Sequence, residues 1–219
     1  FGGHFHNDNS IAALRDVPGL VLAVPSRADD AAAMMRTCFA LAKANDRVVA
    51  FLEPIALYMT KNLYEPDDGK WLFKFPAPGT SVPLGEGRVY ADGEKQDLTL
   101  ITYGNGVLMS LRAAKILMEK DKIACRVLDL RWLNPLNTEQ IVKEAAATGR
   151  VLIVDECRRT GGPAEAILAA LVEGFGSRMI PAVRINAVDT YIPLGPAADL
   201  ILPSEADIIR EARKLTGAP

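Results

Sequence analysis

At 219 residues, 49% of them hydrophobic and 24% charged, the chain has the composition of a globular protein with room for one large domain or two modest ones. A formal net charge of −2 gives no electrostatic footprint for nucleic acid, and the longest apolar runs fall far short of the ~18 residues that cross a bilayer. Three widely spaced cysteines, Cys38, Cys125 and Cys157, with no C-x-x-C pair, argue against a disulfide framework or a zinc site and for a reducing, cytoplasmic setting.

The two histidines, His4 and His6, both stand in the opening FGGHFHNDNS. Without an initiator Met, an apolar residue followed by a Gly pair reads as a strand exit within something longer. Alternate residues of an extended strand point the same way, so His4 and His6, with Asp8, form a conceivable metal set; a buried or turn-forming pair is the plainer reading. His6 is set apart by the polar run HNDNS after the Gly-rich entry. Such a loop lets an imidazole that titrates near neutrality project into a cleft as proton donor or acceptor.

Residues 9–17 then predict a short helix, 19–24 a buried strand, 26–44 a helix and 47–53 another strand. Ser26 and Asp29 have capping-box spacing, and Asp29 and Asp30 suit the positive end of a helix. Two strands and two helices cannot close a core of their own, so this block reads as part of a domain whose other strands lie elsewhere. Over 59–96 the periodicity fades into Pro, Gly and charge, the pattern of an inter-domain connection with a short strand near 87–91. Strands at 98–103, 124–130, 150–156 and 181–187 then alternate with helices at 106–120, 137–148, 163–174 and 204–215, which predicts an α/β domain with a largely parallel sheet. Asn137 with Gln140, and Ser204 with Asp207, predict two N-caps.

Three motifs are weighed against plainer readings. Gly104-x-Gly106 follows a strand and opens a helix, as a phosphate-binding turn does, but Met109 stands where a third glycine belongs; Asp129 ends the next strand at about the distance of a ribose-binding acid. The alternative is a tight βα turn. Glu156, Cys157, Arg158 and Arg159 lie at the C-terminal end of a strand, where adjacent arginines could clamp a carboxylate or phosphate, or form a solvated turn or subunit contact. Cys157 has no evident base nearby in sequence to make it a nucleophile.

Taken together, GGHFHNDNSIAALRDVPGLVLAVPS, FLEPIALY, ITYGNG, VLDLRWLNPLN, VDECRRTGG and LPSEADI resemble, in order and across nearly the whole chain, the β-type part of thiamine-diphosphate-dependent 2-oxo acid dehydrogenases. The nearest likeness is to the branched-chain 2-oxoisovalerate group, in its bacterial forms with α and β parts fused. The resemblance implies an α/β fold: residues 1–58 as the rear part of a pyrimidine-binding domain, 59–96 as a linker, and 97–219 as a transketolase-type C-terminal domain with a mostly parallel sheet. It implies oxidative decarboxylation of a 2-oxo acid and transfer of the acyl group to lipoyl. The cofactors implied are thiamine diphosphate and magnesium, held mostly by an upstream segment and by the α-type part. Implied partners are that α-type part, a second β-type part and the lipoyl acyltransferase component. His6 falls on the family's active-site histidine and would protonate a lipoyl sulfur or steady the intermediate, although Asn7 and Asp8 replace the usual Ser-Gln. His4 matches no catalytic position and reads as structural. The family's potassium site near the end of the Cys38 helix meets extra residues around ALAKAND, and no ligand is assigned. The Gly-x-Gly turn would be relic geometry. A transketolase-like thiamine enzyme and, for the chain by itself, a non-catalytic assembly domain are the alternatives.

Overall fold

A computed structural model describes residues 10–218. In chain order the regular elements are α1 (Ile11–Arg15), β1 (Val21–Ala23), α2 (Ala28–Asn45), β2 (Val49–Phe51), β3 (Arg88–Ala91), β4 (Leu98–Thr102), α3 (Asn105–Asp121), β5 (Cys125–Asp129), β6 (Trp132–Asn134), α4 (Thr138–Ala146), β7 (Val151–Arg158), α5 (Pro163–Phe175), β8 (Ala182–Ala187) and α6 (Glu205–Thr216), with short 3₁₀ turns between some of them.

The larger sheet has the order β3–β5–β4–β7–β8; every pairing in it is parallel except that of β3 with β5. Its central strands are buried on both faces, as a sheet sandwiched between helices requires. Ile101, Val151 and Ile153 pack toward Ile141 and Ala145 of α4 and Ile167 and Leu171 of α5. The alternating Leu98, Leu100, Leu152 and Val154 pack toward Val107, Leu111 and Leu117 of α3 and Ile208 and Ala212 of α6. The fold is thus α/β with a mixed, mostly parallel sheet. The chain steps outward from β4 through α3 to β5, and the other way from β7 through α5 to β8. The carboxyl ends of β4 and β7 therefore form the switch point of the sheet.

The smaller sheet has the order β2–β1–β6, with β1 parallel to β2 and antiparallel to β6. Its third strand comes from the C-terminal block, between β5 and α4. Asn134 fastens it by donating through Nδ2 to the Leu20 carbonyl at 2.6 Å. Ala33, Met34 and Cys38 of α2 close one face over Val21, Ala23 and Trp132. The two blocks therefore share a sheet rather than meeting only across a linker. Residues 88–91, within the Pro- and Gly-rich connection, are likewise the antiparallel edge of the larger sheet.

One local expectation is corrected. The second helix begins at Ala28 with Arg27 as its N-cap, and no side chain caps it. Ser26 is buried, and its hydroxyl pairs with the Asp129 carboxyl across the seam between the sheets; Asp29 turns to Arg27, at 2.9 and 2.7 Å, instead of reaching back to Ser26. A buried carboxyl competes for that hydroxyl better than a backbone amide that water can reach. The other caps form as predicted: Asn137 accepts from the Gln140 amide at 2.9 Å, and Ser204 and Asp207 make a reciprocal capping box.

Candidate functional site

Open α/β sheets bind ligands beyond the carboxyl ends of parallel strands, which points to two places here. At the switch point, Gly104 adopts φ 54°, and a Cβ on it would meet Val24 Cγ1 at 3.4 Å and Pro54 Cγ at 3.5 Å. Gly106 approaches so closely that a Cβ would sit 2.0 Å from Thr102 Oγ1. On the β7 side, a Cβ on Gly161 would meet Ala12 Cβ at 3.4 Å, and Arg15 Nη1 donates to the Gly162 carbonyl at 3.3 Å. The N-terminal block thus fills the crevice. The Gly-x-Gly segment is a packed βα turn and does not fit a diphosphate, and Asp129 faces Ser26 rather than a ribose.

Beneath that plug, the Tyr103 hydroxyl donates to Asp155 Oδ1 at 2.5 Å and lies 3.2 Å from Cys157 Sγ. The other oxygen of Asp155 accepts from the Ala164 amide at 2.9 Å and from Asn186 Nδ2 at 3.2 Å, so this carboxylate ties β4, β7, β8 and the start of α5 together. Burial, then the charge of Asp155, drives the Tyr103 phenol well above its ordinary value. Cys157 is buried inside this structural cluster rather than presented as a nucleophile. Half-buried Glu156, on the opposite side of β7, is pushed up to about 7, chiefly by burial and against a hydrogen bond from Asn105. The Arg158 guanidinium lies 5.7 Å from the Tyr191 ring centroid, and the Arg159 carbonyl accepts from Arg184 Nη1 at 3.0 Å. Arg158 is thus turned to Tyr191, while Arg159 is exposed and anchors Arg184 through its backbone.

The carboxyl ends of β1 and β2, by contrast, open into a cleft of about 570 Å³. Its apolar wall is Met35, Phe51, Leu57 and Trp71, and its polar groups include Ser26, Arg27, Glu53 and Lys61. Tyr58 donates to Glu53 Oε2 at 2.5 Å, which raises the phenol's pKa. The Arg27 guanidinium stacks 3.7 Å from the Phe73 ring centroid at the cleft's edge. A strap over 61–73 roofs it, pinned by Asp68, whose carboxylate accepts from the amides of Leu63, Tyr64, Glu65 and Lys70 at 2.8–3.0 Å. Those four bonds outweigh the desolvation that would raise the Asp68 carboxyl, and hold it far below the usual carboxylate range.

Behind the cleft floor lies a buried ionic seam. Asp30 takes Arg88 at 2.9 and 2.7 Å and Arg131 at 3.0 Å, and Arg131 also reaches the Glu86 carbonyl at 2.9 Å. Desolvation would raise the Asp30 carboxyl, but the two guanidiniums hold it below its ordinary value. Periodicity gave no hint of this seam, because its bonded partners are 45 to 101 positions apart; the one sequence signal was the unusual pair Asp29-Asp30 at a helix start. Among the described residues, no group of three or more His, Cys, Asp or Glu side chains is placed to hold a metal ion, and no helix is long and apolar enough to cross a membrane. His4, His6 and Asp8 lie outside the described residues.

The model of the transketolase C-terminal domain family matches residues 87–208, from just before β3 into α6. The chain belongs to that family. Across 98% of its length it is also 32% identical to the pyruvate dehydrogenase E1 component subunit beta of Staphylococcus aureus. The subunit of the same name from Staphylococcus epidermidis is 32% identical over 97% of the chain. The chain spans 62% of the length of these curated relatives. Among solved structures, a split-gene transketolase described as an inactive beta4 tetramer aligns with a TM-score of 0.70 at 24% identity, covering 99% of this chain and 64% of that one. Transketolase from Leishmania mexicana aligns with a TM-score of 0.56 at 18% identity, covering 98% of this chain and 28% of that one. At these identities the structures speak for the fold alone.

Proposed function

We propose that the chain is the β-type portion of a thiamine-diphosphate-dependent 2-oxo acid dehydrogenase of the branched-chain kind, fused to or paired with an α-type part. The observation that carries the dehydrogenase part of this reading is the 32% identity to pyruvate dehydrogenase E1 beta subunits along 98% of the chain, which includes the N-terminal block that lies outside the transketolase-type match. In this reading residues 1–58 are the rear of a pyrimidine-binding domain, 59–96 the linker and 97–219 the assembly domain. A second β-type part and a lipoyl acyltransferase complete the partnership, in the cytoplasm. The apolar wall of Met35, Phe51 and Leu57 favours an aliphatic substrate side chain over the methyl group of pyruvate.

Thiamine diphosphate, with magnesium, would supply the electron sink for decarboxylation. No described residue makes a diphosphate cradle, so other segments would hold those groups. His6 is proposed to deliver a proton to the lipoyl sulfur during acyl transfer, a task suited to an imidazole near its ordinary pKa of ~6.5.

Calorimetric titration with thiamine diphosphate and magnesium tests the assignment. The 219-residue chain is expected to bind weakly alone and tightly once joined to its α-type part; tight binding by the chain alone would contradict it. In the complete enzyme, His6→Ala is expected to impair acyl transfer to lipoamide more than decarboxylation with an artificial electron acceptor. Equal losses would remove His6 from the transfer step. Turnover of a ketose phosphate instead of a 2-oxo acid would favour a transketolase-like activity, and turnover of neither an assembly role.

A further inference from the structure

Asp129 is a buried carboxyl with 0% exposure, and among the described residues it makes no ion pair. Its Oδ1 accepts from the Arg131 amide at 3.1 Å and its Oδ2 pairs with the Ser26 hydroxyl. The cations around it are committed to other acids: Arg88 and Arg131 to Asp30, Arg131 also to Glu86, and Arg27 to Asp29. The groups that face the site are Arg27, Asp29 and Asp30 from the start of α2, Glu86, Arg88 and Tyr90 from β3 and its approach, and Arg131 after β5. Three guanidiniums therefore meet four carboxyls, and Tyr90, whose hydroxyl is buried without a partner, adds no charge. Glu86 is more than half exposed and is solvated by water. Asp129, fully buried, has no ion pair to compensate its desolvation, and the charge of Arg131 acts on it only through space.

We propose that the Asp129–Ser26 pair is a proton-locked clasp between the two sheets, closed while Asp129 is protonated and loosened when it ionises. Asp129 ends β5 of the larger sheet, whereas Ser26 follows β1 of the smaller one and lines the cleft, so the lock ties the cleft wall to the assembly domain. While protonated, the carboxyl is neutral and needs no cation, and Ser26 Oγ donates to its Oδ2. Ionisation leaves an uncompensated charge with no exposed face, and the first turn of α2 must shift to admit water. In keeping with this, burial followed by the nearby charge of Asp30 pushes the carboxyl up to about 7, against the opposing Ser26 hydrogen bond. Since the folded value lies above the unfolded one, the clasp contributes fully below pH ~4 and its contribution is lost as pH rises through ~7.

The test uses the 219-residue chain. Carbon-13 NMR of uniformly labelled protein follows the carboxyls, with the Asp129 signal assigned in the wild type through its bonded correlation to the Asp129 backbone amide. The expected result is an Asp129 midpoint at least ~2 units above the ordinary carboxylate value, with protection of the amides of residues 28–31 falling roughly 10-fold from pH 6 to pH 8 in the wild type. In Asp129→Asn, which keeps the shape without the charge, that protection is expected to be independent of pH. An ordinary midpoint for Asp129 overturns the proposal, and so does protection that stays constant while Asp129 titrates near neutrality. Both can be read in the wild type should the variant fail to fold. Glu156, two strands away on β7, is likewise pushed up to about 7, and Glu156→Gln is expected to leave the protection change at 28–31 intact; its abolition would overturn the assignment to Asp129.

Discussion

In the larger sheet, β4 and β7 each have a strand on both edges and helices on both faces. In the smaller sheet, β2 has one neighbouring strand among the described residues, and its own three residues are half-buried. The contrast separates two ways of stabilising the same βα pattern. The C-terminal sheet rests mainly on apolar burial against the helices of its own segment, with Ile11, Leu22 and Val24 adding to one face and Leu63 and Trp71 to the other. The N-terminal one borrows β6, and its helix α2 is fastened through the ionic seam of Asp30, Arg88 and Arg131. Truncating the first kind of contact leaves a cavity, whereas truncating the second strands a charge.

The largest expected effect comes from the seam. Asp30→Ala leaves Arg131, itself 3% exposed, without its buried partner, and is expected to destabilise by about 3–5 kcal/mol in urea unfolding. Its pH dependence has a definite sign. Because the folded Asp30 carboxyl lies below its ordinary value, its contribution is present above pH ~4 and fades as pH falls further, opposite to the behaviour of Asp129. A cavity in the larger sheet ranks next: Ile153→Ala at a fully buried site is expected to cost ~2–5 kcal/mol. Phe51→Ala on the open edge of the smaller sheet should cost less, about 1–2 kcal/mol, because the ring is only half-buried. Parity between these two truncations would erase the contrast. Ser204→Ala, which removes the capping box of α6, is expected to cost ~1 kcal/mol. Smallest in global stability is Asp68→Asn, which should quicken amide exchange at Leu63, Tyr64, Glu65 and Lys70 while leaving β7 unchanged.

The same division governs what could be read from residues alone. Runs such as VLIVDE and LTLIT are long, apolar and bounded by turn signals, so the parallel sheet and its helices were legible, as were the caps at Asn137 and Ser204. The strand β6 was not. Three residues inside RWLNPLN carry no alternation, and they become a strand only because β1 offers an edge. Ser26 shows the converse: a sound local capping pattern lost to a partner 103 positions away. The open end of β1 and β2 followed from strand direction, but the cleft itself depends on the strap over 61–73, which periodicity could not fold. The Asp68 turn that shapes this strap is a pattern of side-chain to backbone bonds, visible only once the chain has bent.

The central claim, that the C-terminal sheet draws most of its core from its own segment while the N-terminal one leans on contacts beyond its own block, is tested most directly by native-state hydrogen exchange on the 219-residue chain. Amides of Leu152, Ile153 and Val154 in β7 are expected to exchange only by global unfolding, whereas those of Val49, Ala50 and Phe51 in β2 exchange through local opening at least ~100-fold faster. Equal protection in the two strands, tracking the same denaturant dependence, would contradict the account.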